Sequence, residues 1–204
     1  MTKLAIMQPY LFPYIGYFQL MHAVDRFVIY DDVNYINRGW INRNRILING
    51  EAAYFTMPLS KASQNRLICE IEIFEKDKWA EKLLKTLELS YKKAPYYTEC
   101  IKQISLILSF RENNLSLFIA NSLKSIASYS GISTDIQSSN GRYANRELKA
   151  QDRILDICRQ ENADVYVNAP GGQELYKEDD FSAKGIKLRR SEEHTSELQS
   201  PNTI

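Results

Sequence analysis

Apolar and polar positions alternate along this chain in blocks, each with its own period. "KLAIMQ" near the start is a short apolar run of the kind a buried strand needs, and "YIGYFQLMHAVD" spaces Ile15, Phe18 and Met21 or His22 as one helix face does. "RFVIYDD" follows as a second buried strand ending in carboxylates. The order strand, loop, helix, strand predicts a βαβ unit, whose parallel strands send their carboxyl ends to one edge, the usual place for a ligand. Between the first strand and the helix lies "MQPYLFPYIGYFQ". Pro9 and Pro13 cannot donate to a ladder and would break a helix interior, so this stretch is expected to be a shaped loop.

Further along, "RILINGEAAYFTMP" carries Asn49-Gly50 between apolar runs, and a type I′ hairpin turn needs positive φ at both positions. "LICEIEIF" has period two and predicts a half-solvated strand. Three helical patterns come next, Asp77 to Tyr91, Tyr97 to Arg111 and Leu115 to Tyr129, punctuated by Pro95 and "ENN". Residues 77–130 therefore read as a helical insertion or subdomain. The chain returns to alternation with "ISTDIQ" as strand, "NRELKAQDRILDICRQ" as amphipathic helix, "ADVYVN" as strand, an "APGG" loop and "IKLR" as a last strand. Strands separated by helices predict an α/β fold: a predominantly parallel, three-layer sheet with a β-hairpin insertion and a helical block.

Composition narrows the partners more than the fold. At 204 residues, 44% hydrophobic and 25% charged, the chain matches an ordinary soluble globule, and residues 1–189 suffice for one α/β domain without disulfide staples. A formal net charge of +1 exerts no field toward nucleic acid or anionic lipid, so neither is expected as a partner. The apolar stretch around "IKQISLILSF" is too short and too polar to cross a bilayer. Cys69, Cys100 and Cys158 lie far apart with no signal peptide before them, which predicts a reducing compartment and a cytoplasmic location.

"RSEEHTSELQS" from Arg190 is the in-frame translation of a common sequencing-adapter oligonucleotide, so residues 190–204 are read as an artefactual tail and the native C-terminus as missing. Setting the tail aside removes one Arg and three Glu, which moves the charge from +1 to +3, and takes His194 with it. His22 is then the single histidine, and a histidine metal cluster within the chain is excluded.

Candidate chemistry gathers at the loops. Gly16 stands where the first helix should begin, and backbone N–H groups at such a start can cradle an anion; the plainer reading is a tight turn. His22 is the one imidazole available for acid–base work, although a lone His on an apolar helix face is more often core. Asp31 and Asp32 end a strand at the predicted crevice, where they can hold Mg²⁺ beside a phosphate, supply a general base, or merely cap the loop. "NRGWINRNRI" interleaves Arg38, Arg43 and Arg45 with Asn37, Asn42 and Asn44 around Trp40. Guanidinium forks suit phosphate, amides suit sugar hydroxyls and an indole suits a ring face, a set built for a sugar phosphate. "SSNGRYANRELK" adds Ser138, Ser139 and Arg142, and "YVNAPGGQELY" adds Asn168, Gly171, Gly172 and Tyr176 on the same predicted edge. No GxSxG elbow or other hydrolase triad signature is present.

The blocks "MQPYLFPYIGYFQLMHAVDRFVIYDDVNYINRGWINRNRILING", "YKKAPYY" and "YVNAPGGQELY" resemble the WbqC-like protein family, bacterial proteins associated with surface-polysaccharide (O-antigen) gene clusters. The resemblance spans residues 3–189. It implies a cytoplasmic protein of lipopolysaccharide biosynthesis, with Gln8, Pro9, Pro13, Gly16, Tyr17, Asp31, Asp32, Arg38, Trp40, Asn42, Arg43, Asn168, Gly171, Gly172 and Tyr176 in the family pattern. A fainter similarity links the layout to nucleotidylyl transferases and pantothenate-synthetase-like ligases, a Rossmann-like fold in which an HxGH motif grips nucleotide phosphates. Tyr14 and Tyr17 stand where those histidines would be and cannot carry their charge.

Two functions are therefore expected. The first is an acyl or aminoacyl transferase, glycyl included, or an ATP-dependent amide-forming enzyme, acting on an amino sugar or sugar nucleotide. Asp31, Asp32 or His22 would be the base, Gln8, Tyr14, Gly16, Tyr17, Arg38, Trp40, Asn42, Arg43 and Ser139 would join the late loop in binding substrate, and Mg²⁺-ATP would be the cofactor if an acyl-adenylate forms. The second is a non-catalytic scaffold that binds a nucleotide sugar or lipid carrier.

Overall fold

The computed structural model describes residues 1–169 and 176–191, which contain an α/β fold of nine strands and six α-helices. The chain divides into two compact units: Met1–Gln8, Tyr14–Asp32 and Gly131 onward in the first, Pro9–Pro13 and Val33–Ser130 in the second.

The first unit is built on one parallel sheet. Its strands are β1 (Lys3–Met7), β2 (Arg26–Ile29), β7 (Asp135–Ser138), β8 (Val165–Asn168) and β9 (Lys187–Arg190), in spatial order β7-β2-β1-β8-β9. Counted by appearance within the unit this is 3-2-1-4-5, the doubly wound order, with its reversal between β1 and β8. Period-two alternation sorts the side chains into two faces. Leu4, Ile6, Val28 and Tyr166 form one core with α5 (Ala150–Gln160) and with Phe181 of α6 (Glu178–Ser182). On the other face Phe27 meets Tyr17 of α1 (Ile15–His22), ring centroids 5.3 Å apart. Helices cover both faces, which is why the strands are apolar on both sides. The expected three-layer parallel sheet is thus observed.

The second unit holds two small antiparallel sheets and the helical block. β3 (Arg43–Ile48) and β4 (Glu51–Thr56) form the hairpin, with Asn49 at φ 54° and Gly50 at φ 83° as the type I′ turn demands. β5 (Leu59–Ser60) pairs with β6 (Glu72–Ile73), followed by α2 (Lys76–Tyr91), α3 (Tyr97–Leu108) and α4 (Leu115–Tyr129).

Three local expectations change. "LICEIEIF" is a strand only at Glu72–Ile73; Ile68–Glu70 is a 3₁₀ turn, because Ile68 and Ile71, three apart, both bury fully. The Cys69 carbonyl freed by that turn accepts from Asn114 Nδ2 at 2.7 Å, and Asn114 also caps α4 through the Leu117 N–H. α5 begins at Ala150 rather than Asn145, because the Asn145 amide bonds across to Arg153 and Asp156 and stays out of the first turn. α3 ends at Leu108, short of Arg111. No helix among the described residues is long and apolar enough to cross a membrane.

Candidate functional site

Parallel pairing sends the carboxyl ends of β1, β2, β7 and β8 to one edge, so Gln8, Asp31, Asp32, Ser138, Ser139 and Asn168 lie along it. Asp31 and Asp32 are 1% and 2% exposed. Such burial of carboxylates needs partners, and β7 and α5 provide them. Ser138 Oγ stands 2.8 and 2.7 Å from the two Asp31 oxygens, and the Asn140 N–H donates to Asp31 Oδ1 at 3.0 Å. The Ser139 hydroxyl donates to Asp32 Oδ1 while its oxygen accepts from the Asp31 N–H at 3.1 Å. At Asp32 Oδ2 two guanidinium groups converge, Arg153 Nη2 at 2.5 Å and Arg146 Nε at 3.2 Å.

The two arginines differ in kind. Arg153 is 3% exposed, donates also to the Asp32 carbonyl and to Asn145 Oδ1, and lies 4.9 Å over the Tyr30 ring. It is a buried counter-ion. Arg146 reaches outward: its side chain is about half exposed and steadied by Asn140 Oδ1 at 2.8 Å, leaving donors toward solvent. The carboxylates thus hold a partly exposed guanidinium at the carboxyl edge of the sheet.

Mg²⁺ does not fit the aspartate pair, since hydroxyl, amide and guanidinium donors fill its oxygens and two cations already share Asp32. Among the described residues no group of three or more His, Cys, Asp or Glu could hold a metal ion. The ATP grip suggested by the ligase-like layout also lacks its chemistry, because Tyr17 is buried and its hydroxyl donates to the Gln8 carbonyl at 2.9 Å. Gly16 is buried in the first turn of α1, and Tyr14 is the N-cap without a side-chain capping bond.

His22 lies elsewhere. Eight residues of helix rise about 12 Å and carry the chain from the carboxyl edge back to the amino edge. There Thr134, just before β7, donates to the Met21 carbonyl at 2.7 Å. His22 is exposed at that end, and the structure does not bring it to the aspartates. Asn168 is buried at the end of β8. Tyr176 is half-buried and packs edge-on against Tyr166 and Phe181 of the core, and Gly171 and Gly172 lie outside the described residues.

In the second unit the opening loop does meet the Arg/Trp segment. The Leu11 N–H donates to the Trp40 carbonyl at 3.1 Å, and Asn44 Nδ2 donates to the carbonyls of Leu11 and Phe12. Asn42 is buried between the Tyr35 hydroxyl and the Met57 carbonyl, so its amide is engaged inside the fold. Arg43 donates to the carbonyls of Gly39 and Arg38, while Arg38 itself is exposed.

A third buried acid, Glu161, is structural. It accepts from Arg142 Nε at 2.8 Å, from the Tyr143 hydroxyl at 2.7 Å and from Arg26 Nη1. Burial alone would push its carboxyl up, but these donors outweigh it and hold the group at about 2, below the ordinary 4.5. A depressed carboxylate stabilises the fold above its ordinary value, and that contribution disappears as pH falls from 4.5 toward 2. Acid unfolding followed by circular dichroism should therefore steepen in that window, and Glu161→Gln should flatten it.

Sequence reading passed over Arg153, the ion that organises the aspartates. Its signal was there: an Arg aligned with Ile157 on the apolar stripe of α5 has to find a buried acid.

A family model described as "WbqC-like protein family" matches residues 8–199. The "Uncharacterized protein Rv1507c" of Mycobacterium tuberculosis is 32% identical over 189 residues, covering 92% of this chain and 81% of that protein. No solved structure matches. A family match over most of the chain and a relative aligned along nearly all of it lead to one conclusion: the chain belongs to the WbqC-like protein family.

Proposed function

We propose that this protein is a transferase that adds an acyl or aminoacyl group, glycyl included, to an amino sugar or sugar nucleotide of bacterial surface polysaccharide, working in the cytoplasm. The observation that carries the reading is the Asp31–Ser138 pair at the carboxyl edge of a doubly wound sheet, beside the outward-facing Arg146. Arg146 and the start of α1, which has no acidic residue in its first turn, suit the substrate phosphate. The sugar amine attacks the carbonyl carbon of an activated acyl donor, forming the amide bond as the donor's leaving group departs. Its proton passes to Ser138 Oγ while the serine proton moves to Asp31, which makes Asp31 the base through a half-buried hydroxyl.

Asp31→Asn keeps the shape of the site and removes its basicity. Turnover of an amino-sugar nucleotide is expected to fall by roughly 10²-fold or more. Affinity for the same nucleotide, read by calorimetry, should change by less than about tenfold. Loss of binding in step with turnover would favour the non-catalytic scaffold instead.

A further inference from the structure

The hairpin of the second unit has one face whose chemistry the sheet edge does not use. Cross-strand register pairs Arg45 with Tyr54 and Arg43 with Thr56, so Arg43, Arg45 and Tyr54 project from the same side. Trp40, from the turn before β3, joins them: its ring centroid is 6.4 Å from that of Tyr54, the planes 30° apart. The Arg45 guanidinium lies 5.6 Å from the Trp40 centroid and 5.9 Å from that of Tyr54, and Arg43 lies 4.8 Å over Tyr54. Both rings remain open, Trp40 at 38% and Tyr54 at 57% exposure.

Charge balance sets this face apart. None of the ion pairs among the described residues involves Arg38, Arg43 or Arg45. Arg43 is turned toward backbone carbonyls, whereas the Arg45 guanidinium makes no hydrogen bond among the described residues. A guanidinium stacked on rings is held by its faces, which leaves its in-plane N–H donors for an acceptor from solution. The amides that would read sugar hydroxyls are committed elsewhere: Asn42 to Tyr35 and Met57, Asn44 to the opening loop. What remains is a set of aromatic faces and unneutralised forked cations, matching a flat ring joined to phosphates better than a bare sugar.

We propose that the Trp40–Tyr54–Arg45 face is a binding site for a nucleoside diphosphate, with the base against the rings and the phosphates on Arg45. The site stands on the hairpin alone and does not depend on the transfer reaction.

UDP is the probe. The chain has two tryptophans, so Trp79→Phe leaves Trp40 as the single reporter, and UDP should quench it saturably with a Kd below ~1 mM. Calorimetry on the unaltered chain should give the same Kd. Arg45→Ala and Tyr54→Ala, both on an exposed face and expected to leave circular dichroism unchanged, should each weaken binding by about tenfold or more. Uridine and pyrophosphate should each bind at least about tenfold more weakly than UDP. No binding by calorimetry, binding that survives both substitutions, or pyrophosphate as good as UDP would overturn the proposal. Tighter binding of single-stranded RNA than of UDP, with steep salt dependence, would overturn it in favour of nucleic acid.

Discussion

Asp32→Ala is expected to destabilise the first unit by about 3–5 kcal/mol, because it strands a buried cation. Arg153 would keep only the Asn145 amide oxygen, the carbonyl of residue 32 and the Tyr30 ring in place of a full negative charge, at a site 3% exposed. Arg153→Ala should cost less, since Asp32 would keep Ser139 and Arg146 as donors. The diagnostic variant is the pair Asp32→Leu with Arg153→Met. Replacing both charges by apolar side chains of similar volume often restores or exceeds native stability, so urea denaturation should place the double variant well above Asp32→Ala. If the double variant were as unstable as the single one, packing rather than the unpaired charge would be responsible.

Phe181→Ala should cost a similar amount, about 3–5 kcal/mol, by a different route. Phe181 is fully buried, stacks on Tyr166 with centroids 5.4 Å apart and planes 7° apart, and touches Tyr176 edge-on. It is the one buried residue of the five-residue α6, which alone is far too short to be stable. Removing the ring leaves a cavity beneath β8 and β9 and takes away what holds that turn in place. Urea denaturation should show the loss, and Phe181→Leu should recover most of it; equal loss in both variants would mean that the stacked geometry, not the volume, matters.

These two sites show unequal legibility. Phe181 sits in "KEDDFSAKG", a polar stretch with no usable period, so nothing local announces a helix there, and α6 forms only because one ring finds the core. The central strands were different: "LAIM", "FVI" and "VYV" are apolar on both faces, and a strand covered by helices on both sides has no other pattern available. Asn49-Gly50 likewise announced its hairpin, because few other dipeptides tolerate two positive φ angles in succession. "LICEIEIF" misled because Ile68 and Ile71 serve the core at helical spacing while Ile71 and Ile73 continue at strand spacing, and a short window fits either.

At the candidate site the residue types were readable and their partners were not. Asp31 and Asp32 stood out as carboxylates ending a strand, but that Ser138, Ser139 and Arg153 would meet them depends on β7 pairing beside β2 across more than a hundred residues. Asn42 and Asn44 looked like ligand amides; in the structure Asn42 bridges Tyr35 and Met57 and Asn44 braces the opening loop, a choice made by which groups came within reach. His22 shared a helix with the opening loop, yet the length of α1 moves it to the other end of the sheet.

The chain's own pattern determined the parallel α/β sheet, the hairpin and the helical block, because period and turn chemistry act over a few residues and need no distant partner. The tertiary structure alone decided which charges are neutralised and which still face solvent: Arg153 is matched by Asp32, whereas Arg45 has no counter-ion among the described residues. Both are plain arginines in the sequence. Long-range pairing puts a carboxylate beside one and aromatic rings beside the other, and Coulomb attraction and burial depend on that distance, not on separation along the chain.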